Sequence, residues 1–434
     1  MKRHLHPPRH SEVDDVLASS ACPFSVVSDE VRARLASAME LRDYDTGELV
    51  VRQGDKGRFL LVLIDGLASA CVHQGDNLVT SIADLRAGSL IGEMSLVTDE
   101  PRTADVVCRT PVRAALLSVD DFEALALKYP ELRALLTEVV AERLGQSTYD
   151  SLSGKDVNGY RIVQCLGRGG MGIVYEAASA ADGQRVALKM MNHRLLYQPR
   201  ALQRFQREAD TLKSLSHPVI ARIYAHFTAY KTQFLVLEFC QGTTLAAAIA
   251  ARAPMDEPTV RRIVGQLADA LQYVHDRGVI HLDVKPANVM LSDSGQVKLL
   301  DFGIASVDRR ASRAGGASGA ATTDSNVLEC LGTPRYMAPE QFDSPTLDHR
   351  VDWYALACVA YEALTGRPTV EASDLFGIIH ERERFVLPPA SRIGAGVSNE
   401  MHAFLASALQ QRREQRIVDL RQLAKWAGPV AVPH

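Results

Sequence analysis

From Gly47 to Ser118 the apolar positions fall in short β-rich runs cut by turn residues: "GELVVRQGD", "RFLLVLIDG", "ASACVHQGDN", "ADVVCRT" and "VRAALLSV". Turn signals at Gly54-Asp55, Asp65-Gly66 and Gly75-Asp76-Asn77 recur at the spacing of an all-β barrel or sandwich. The period then becomes helical. Leu132, Leu135, Leu136, Val139, Val140 and Leu144 make one apolar stripe, and Pro130 separates it from a shorter helix around Phe122 and Leu125. Gly145 ends that pattern, and the polar, Ser/Gly-rich stretch "GQSTYDSLSGKDVNG" reads as a linker. Strands followed by a long helical region then predict an α+β unit reaching Trp426. Inside it, "RRASRAGGASGAATTDSN" (309–326) has no apolar period and reads as a mobile loop.

The 434 residues suffice for about two to four domains. A net charge of −4 supplies no electrostatic footprint for nucleic acid. The seven cysteines are scattered, odd in number and without a Cys-x-x-Cys pair, which fits reduced, buried thiols of a cytosolic chain. No apolar stretch follows the basic start "MKRHLHPPRH", and the best membrane candidate, "WYALACVAYEAL", is short and contains Glu362. A cytoplasmic protein without a membrane span is expected.

Chemistry concentrates in the second half. "LGRGGMGIVYEA" holds Gly167, Gly169 and Gly172 in a G-x-G-x-x-G, a spacing shared by dinucleotide-binding turns and glycine-rich hairpins. A dinucleotide turn leads into a helix, whereas "GIVYEA" is β-type, so a hairpin is expected. Lys189 stands in the alternating strand "RVALKMM", where a cation is costly to bury unless paired. Glu208 sits on the apolar stripe of Phe205, Leu212 and Leu215 in the next helix, which makes it the natural partner. The alternative is a purely stabilising pair, though buried pairs are weak stability devices. "HLDVKPANVML" and "VKLLDFGIA" then crowd Asp283, Lys285, Asn288 and Asp301 into two short loops. Phosphoryl transfer needs such a set: a carboxylate at the acceptor hydroxyl, a cation at the phosphate, and oxygen ligands for Mg2+.

Residues 160–426 resemble a protein kinase domain of the eukaryotic Ser/Thr type, of a bacterial-looking kind, through "GRGGMG", "VALK", "HLDVKPAN", "DFG" and "GTPRYMAPE" in order. The resemblance implies a two-lobed α+β fold over 159–426 with ATP in the cleft. Leu166, Gly167, Gly169, Gly172 and Val174 would cover the nucleotide from above, with Ala187 and Met290 also lining its site. Lys189 would pair with Glu208 and the phosphates, and Leu237 is the gatekeeper. Glu238 and Cys240 would offer backbone groups to adenine. Asp283 would be the catalytic base, Lys285 its Ser/Thr-class companion, Thr333 its support, and Asn288 and Asp301 the Mg2+ ligands, with Mn2+ an alternative metal. Glu340 and Arg416 match a structural ion pair. Leu282 stands where many family members carry an arginine that grips a phosphate on the activation loop. Loop phosphorylation is therefore not expected to be the main on-switch. Ser312, in "RRAS", and Thr322 and Thr323 are candidate autophosphorylation sites.

The earlier stretch "RAGSLIGEMSLVTDEPRTADVV" resembles the phosphate-binding cassette of cyclic-nucleotide-binding domains, and the likeness covers residues 20–145, with a linker over 146–158. That family implies a jelly-roll β-barrel with flanking helices. Gly92 would open a short helix whose amides near Met94 and Ser95 face an anion. Arg102 would hold the cyclic phosphate and Glu93 the ribose 2′-hydroxyl, with Thr103 beside them and cAMP against cGMP left open. The bland alternative is a Glu93–Arg102 pair, or a solvated turn beside Pro101. Three other classes compete: a transcription factor, which needs a helix-turn-helix after residue 145; a nucleotide-sensing pseudokinase scaffold; and a kinase whose N-terminal domain is a docking module that binds no nucleotide. Protein substrates carrying Ser or Thr are the expected partners, with no preference legible around "TTLAAAIAARAP".

Overall fold

The computed structural model describes residues 10–74, 78–94, 101–144, 152–169, 172–191, 199–230, 232–302, 334–344, 346–394 and 396–428. Helices α1 (His10–Ala18) and α2 (Asp29–Ala38) precede eight strands. These are β1 (Glu40–Tyr44), β2 (Leu49–Val51), β3 (Phe59–Asp65), β4 (Ala68–Gln74), β5 (Leu78–Leu85), β6 (Leu90–Ile91), β7 (Asp105–Cys108) and β8 (Val112–Ser118). They form two four-stranded antiparallel sheets, β1-β8-β3-β6 and β2-β7-β4-β5, a β-sandwich of the expected all-β kind. Strand β3 shows why its run lacks alternation. Leu61 and Leu63 enter the core between the sheets, while Leu60, Val62 and Ile64 pack under helices, so both faces are buried.

Those helices are α1, α2, α3 (Val119–Lys128) and α4 (Pro130–Leu144), with Leu132, Leu136, Val139 and Val140 of the predicted stripe buried. Helix α1, with Val13 and Leu17 fully buried, extends the domain before residue 20. The linker is shorter than 146–158. Leu152 is 1% exposed, Gly154 and Lys155 exchange backbone hydrogen bonds with Ile162, and β9 (Asp156–Val157) pairs with the next strand.

The second unit begins with a six-stranded antiparallel sheet, β13-β14-β12-β11-β10-β9. It contains β10 (Tyr160–Gly169), β11 (Gly172–Ser179) and β12 (Arg185–Met191), then α5 (Pro199–Lys213), β13 (Ile223–Ala229) and β14 (Thr232–Glu238). The C-terminal lobe holds β15 (Thr243–Thr244), α6 (Leu245–Arg252), α7 (Glu257–His275), β16 (Val289–Leu291), β17 (Val297–Leu299) and α8 (Glu340–Asp343). Helices α9 (Arg350–Thr365), α10 (Leu375–Arg384), α11 (Ala390–Ile393), α12 (Asn399–Ala408) and α13 (Leu420–Ala424) complete it. The apolar run "WYALACVAYEAL" lies in α9, at the centre of the lobe's core, and no helix among the described residues is long and apolar enough to cross a membrane. The described cysteines are all free thiols.

One apolar cluster joins the two units. It includes Val139 and Val140 of α4, then Leu152 and Val157, then Tyr175, Leu188 and Phe234 on one face of the six-stranded sheet. The other face, with Met191 and Leu235, belongs to the core shared with α5 and the C-terminal lobe.

Candidate active site and nucleotide cassette

The glycine motif is a β-hairpin, not a turn into a helix: Gly169 pairs with Gly172 across β10 and β11. Gly172 has φ +138°, and a Cβ there would lie 2.0 Å from the Met190 carbonyl oxygen, so no other residue fits. Beneath the hairpin, a cavity of about 560 Å3 opens between the lobes. Leu166, Gly167, Val174, Ala187, Lys189, Leu237, Glu238, Cys240, Asn288, Met290 and Asp301, all expected there, line it. Burial pushes the Cys240 thiol up to about 12, so it stays protonated and donates to the Glu238 carbonyl at 3.6 Å. The Glu238 carboxylate pairs with Lys298 at 2.6 Å, tying the end of β14 to β17.

Lys189 is 5% exposed, and its Nζ lies 2.9 Å from Asp301 Oδ2. Glu208 is half-buried on α5, between the buried Phe205 and Leu212 of the predicted stripe. Asp283, in the loop that leads into Asn288, is 9% exposed and tightly held. Lys285 Nζ donates to Oδ1 at 3.0 Å and Oδ2 at 2.8 Å, and Asn288 Nδ2 donates to both Oδ2 and the Asp283 carbonyl at 2.8 Å. Asp301 and Asn288 bring a carboxylate and an amide oxygen to the cavity lining, hard oxygen donors of the kind Mg2+ takes, which fits the implied metal.

Two residues missed by the sequence reading hold this loop. His281 is fully buried; its Nδ1 accepts from the Asp283 N–H at 3.3 Å, so Nε2 carries the proton and donates to the Leu300 carbonyl at 3.0 Å. Burial keeps this imidazole's pKa below the usual histidine value, consistent with that neutral tautomer. Asp352, also fully buried on α9, accepts from His281 N–H at 2.8 Å, Leu282 N–H at 2.9 Å and His275 Nε2 at 2.8 Å. Its pKa is lowered: burial raises it, but the hydrogen bonds from His275 and from the His281 backbone outweigh that. Leu282 sits at φ +68°, a left-handed conformation costly for a branched side chain, and the Asp352 carboxylate is what holds it there. The available signal was an aspartate in the first turn of an apolar helix. Asp352→Ala is expected to strand three donors and cost about 3–5 kcal/mol, measured as a fall in thermal midpoint. An unchanged midpoint would show that the loop stands without this anchor.

The Glu340–Arg416 pair is bidentate at 2.6 and 2.8 Å, with Arg416 1% exposed. Arg335, the basic residue nearest the loop motif, spends its guanidinium on the Ala372 and Glu371 carbonyls at 3.0 and 2.8 Å. Thr333, Ser312, Thr322 and Thr323 lie outside the described residues.

In the N-terminal unit the backbone turns helical at Glu93 and Met94, directly after Gly92; Ser95 and the turn at Gly75–Asn77 lie outside the described residues. Glu93 is 2% and Arg102 5% exposed, which rules out a solvated turn. Arg102 Nη2 donates to the Phe59 carbonyl at 2.6 Å, and its guanidinium lies 4.7 Å from the Phe59 ring centroid. Gly92, at φ +90°, makes room: a Cβ would fall 1.9 Å from Arg102 Nη1. Burial lowers the Arg102 pKa, against the opposing pull of the Glu93 and Asp55 carboxylates. Thr103 is half-buried beside it. The cassette thus gathers a carboxylate and a guanidinium in one dry corner.

Comparison with known proteins gives two family matches. The protein kinase domain family matches residues 160–425, and the cyclic nucleotide-binding domain family matches residues 41–129. The chain is similar to serine/threonine-protein kinase PknH of Mycobacterium tuberculosis, 33% identical over 278 residues, 63% of this chain and 42% of that protein. It is similar to Pkn1 of Myxococcus xanthus, 32% identical over 321 residues, 73% of this chain and 42% of that one. PknB of M. tuberculosis is 34% identical over 262 residues, 59% and 40% of the two lengths. The chain spans about two-fifths of the length of these curated relatives. With its kinase match covering more than half the chain, the protein belongs to the protein kinase family, carrying a cyclic nucleotide-binding domain ahead of the kinase domain.

Proposed function

We propose that the chain is an ATP-dependent Ser/Thr protein kinase whose activity answers to a cyclic nucleotide bound by the N-terminal domain. The observation that carries the catalytic reading is the hydrogen-bonded set of Asp283, Lys285 and Asn288, whose Asn288 lines the same cavity as the paired Lys189 and Asp301. Asp283 orients the acceptor hydroxyl and takes its proton as the oxygen bonds to the γ-phosphorus and the bond to the β–γ bridging oxygen breaks. Lys285 steadies the Asp283 carboxylate and faces the transferred phosphate, while Lys189 holds the phosphates of the nucleotide, with Glu208 behind it. Thr333 supports the base. Asn288 and Asp301 would hold Mg2+, which when bound neutralises charge on the phosphates. Leu166, Gly167, Gly169, Gly172 and Val174 shield the cleft from water, and the backbone of Glu238 and Cys240 meets adenine.

A pseudokinase would lack these groups, so their joint presence favours turnover. The regulatory reading rests on the buried Glu93 and Arg102 and on the apolar cluster linking α4 to the kinase sheet. Kinase activity on a generic acceptor, titrated separately with cAMP and cGMP, tests both parts. Mg2+-dependent transfer without response to either nucleotide would leave a kinase with a docking module.

Leu282 offers no charge to a loop phosphate, and Arg335 is engaged elsewhere. Phosphatase-treated chain is therefore expected to keep most of its activity toward an added acceptor. Silencing by dephosphorylation would mean that another basic residue reads the loop.

A further inference from the structure

Among the described residues of the C-terminal lobe two arginines are fully buried, and they are satisfied very differently. Arg416 has a carboxylate, Glu340, and the carbonyls of Gln410 and Gln411 at 2.8 and 3.1 Å. Arg382, on α10, is 2% exposed, yet its Nε and Nη1 are buried without an acceptor among the described residues. Its Nη2 donates to two successive carbonyls, Pro334 at 2.7 Å and Arg335 at 3.1 Å. The guanidinium lies 5.0 Å from the Phe342 ring centroid, a partial compensation for lost water.

A cation retained in the core for two carbonyls is poor value as a stabiliser, since an apolar residue of its volume would leave no N–H groups stranded. What it does secure is the path of the backbone at 334–335. That segment is a 3-10 turn over Pro334–Tyr336, with the Met337 N–H donating to the same Pro334 oxygen at 3.2 Å. Tyr336 and Met337 share a small cavity wall with Leu282, Asp283 and Val284, so the turn forms an edge beside the Asp283 carboxylate. The preceding residue of α10 completes the hold. Glu381 Oε2 accepts from the amides of Glu371 at 2.7 Å and Ala372 at 3.0 Å, and the carbonyls of those same residues accept from Arg335. Adjacent residues of one helix thus clasp both strands of a loop pair whose free edge borders Asp283.

We propose that Arg382 is a positioning residue for the protein acceptor, setting through Pro334 and Arg335 the edge against which the acceptor chain lies next to Asp283. This rests on the kinase reading above, and it adds a residue that touches neither ATP nor the reacting atoms.

The test compares full chain and Arg382→Met, which keeps much of the volume and removes both hydrogen bonds. The probes are a generic acceptor protein and ATP. The expected result is a fall of roughly ten- to a hundredfold in kcat/KM for the acceptor, carried mainly by its KM, as for a small misplacement away from the chemistry. The KM for ATP and the acceptor-free hydrolysis of ATP should hold within about twofold, and Arg382→Lys, with one donor arm, should recover part of the loss. If Arg382→Met does not fold, Glu381→Gln at its exposed neighbour should show the same split at smaller size. An unchanged acceptor KM in the folded variant, or ATP hydrolysis falling in step with transfer, overturns the proposal. Wild-type chain that transfers no phosphate sinks the kinase reading and this inference together, whereas normal wild-type transfer beside an unaffected variant sinks this inference alone.

Discussion

Asp283→Asn is expected to cut phosphoryl transfer about 10^2- to 10^4-fold, the usual worth of a positioned general base, while the protein stays folded. The asparagine would occupy the same space, and its remaining oxygen could still accept from Asn288 Nδ2, which now bonds Oδ2 and the main-chain carbonyl together. What it cannot do is accept from Lys285 with both atoms, as the carboxylate does at 3.0 and 2.8 Å, or receive a proton from a hydroxyl. Lys189→Met should be as damaging by another route, because it removes the buried cation facing Asp301 and leaves that carboxylate, 26% exposed, to water. Neither change opens a cavity, so thermal midpoints should move by only a few degrees, on the order of 1 kcal/mol. The measurement is transfer of labelled γ-phosphate beside a thermal melt. Transfer retained in Asp283→Asn would mean that the base has been assigned to the wrong residue.

In the second prediction, saturating cyclic nucleotide raises kinase activity roughly five- to 150-fold, the span of typical coupling energies, and Arg102→Ala moves the half-activating concentration upward by about ten- to a hundredfold, the worth of a charge-assisted hydrogen bond. Basal activity of the variant should match wild type. The Arg102 guanidinium already sits desolvated between the Phe59 ring and the gap left by Gly92, so little ordering remains when a phosphate arrives. The path to the kinase is physical. Helix α4 shares its buried Val139 and Val140 with the cluster that includes Leu152, Val157 and Phe234, and on this reading a movement of α4 would repack one face of the kinase sheet. The same continuity makes the full chain the right material, because deleting the N-terminal domain would uncover that face. Direct nucleotide binding to wild type and variant, read beside activity, separates lost affinity from lost coupling. A variant with wild-type half-activation would remove Arg102 from the phosphate site.

Much of this protein was decided locally along the chain. Asp283, Lys285 and Asn288 lie within six residues, so one loop suffices to bring them together, and the alternating strand "RVALKMM" alone dictates that Lys189 points away from Leu188 and Met190. The hairpin likewise follows from β-type residues after the glycines. The stripe of α4 was legible for the same reason, since its buried Leu132, Leu136, Val139 and Val140 recur at helical spacing, a property of contiguous sequence. Other features depend on partners far away. Asp352 acts on Leu282 across 70 positions, and Arg382 on Pro334 across 48; the local sequence offers at most an aspartate in the first turn of an apolar helix, and what a buried polar residue does is set by what surrounds it. Residues 152–157 read as linker because they are few and polar; hydrogen bonds to Ile162 fix the turn before Asp156, and pairing with Tyr160 and Arg161 makes Asp156–Val157 a strand of the sheet. The largest such case is the apolar cluster shared by the two domains. Sequence shows which side chains must leave water, but whether α4 buries its stripe within its own domain or against a neighbour is settled by packing, since the hydrophobic effect has no direction of its own.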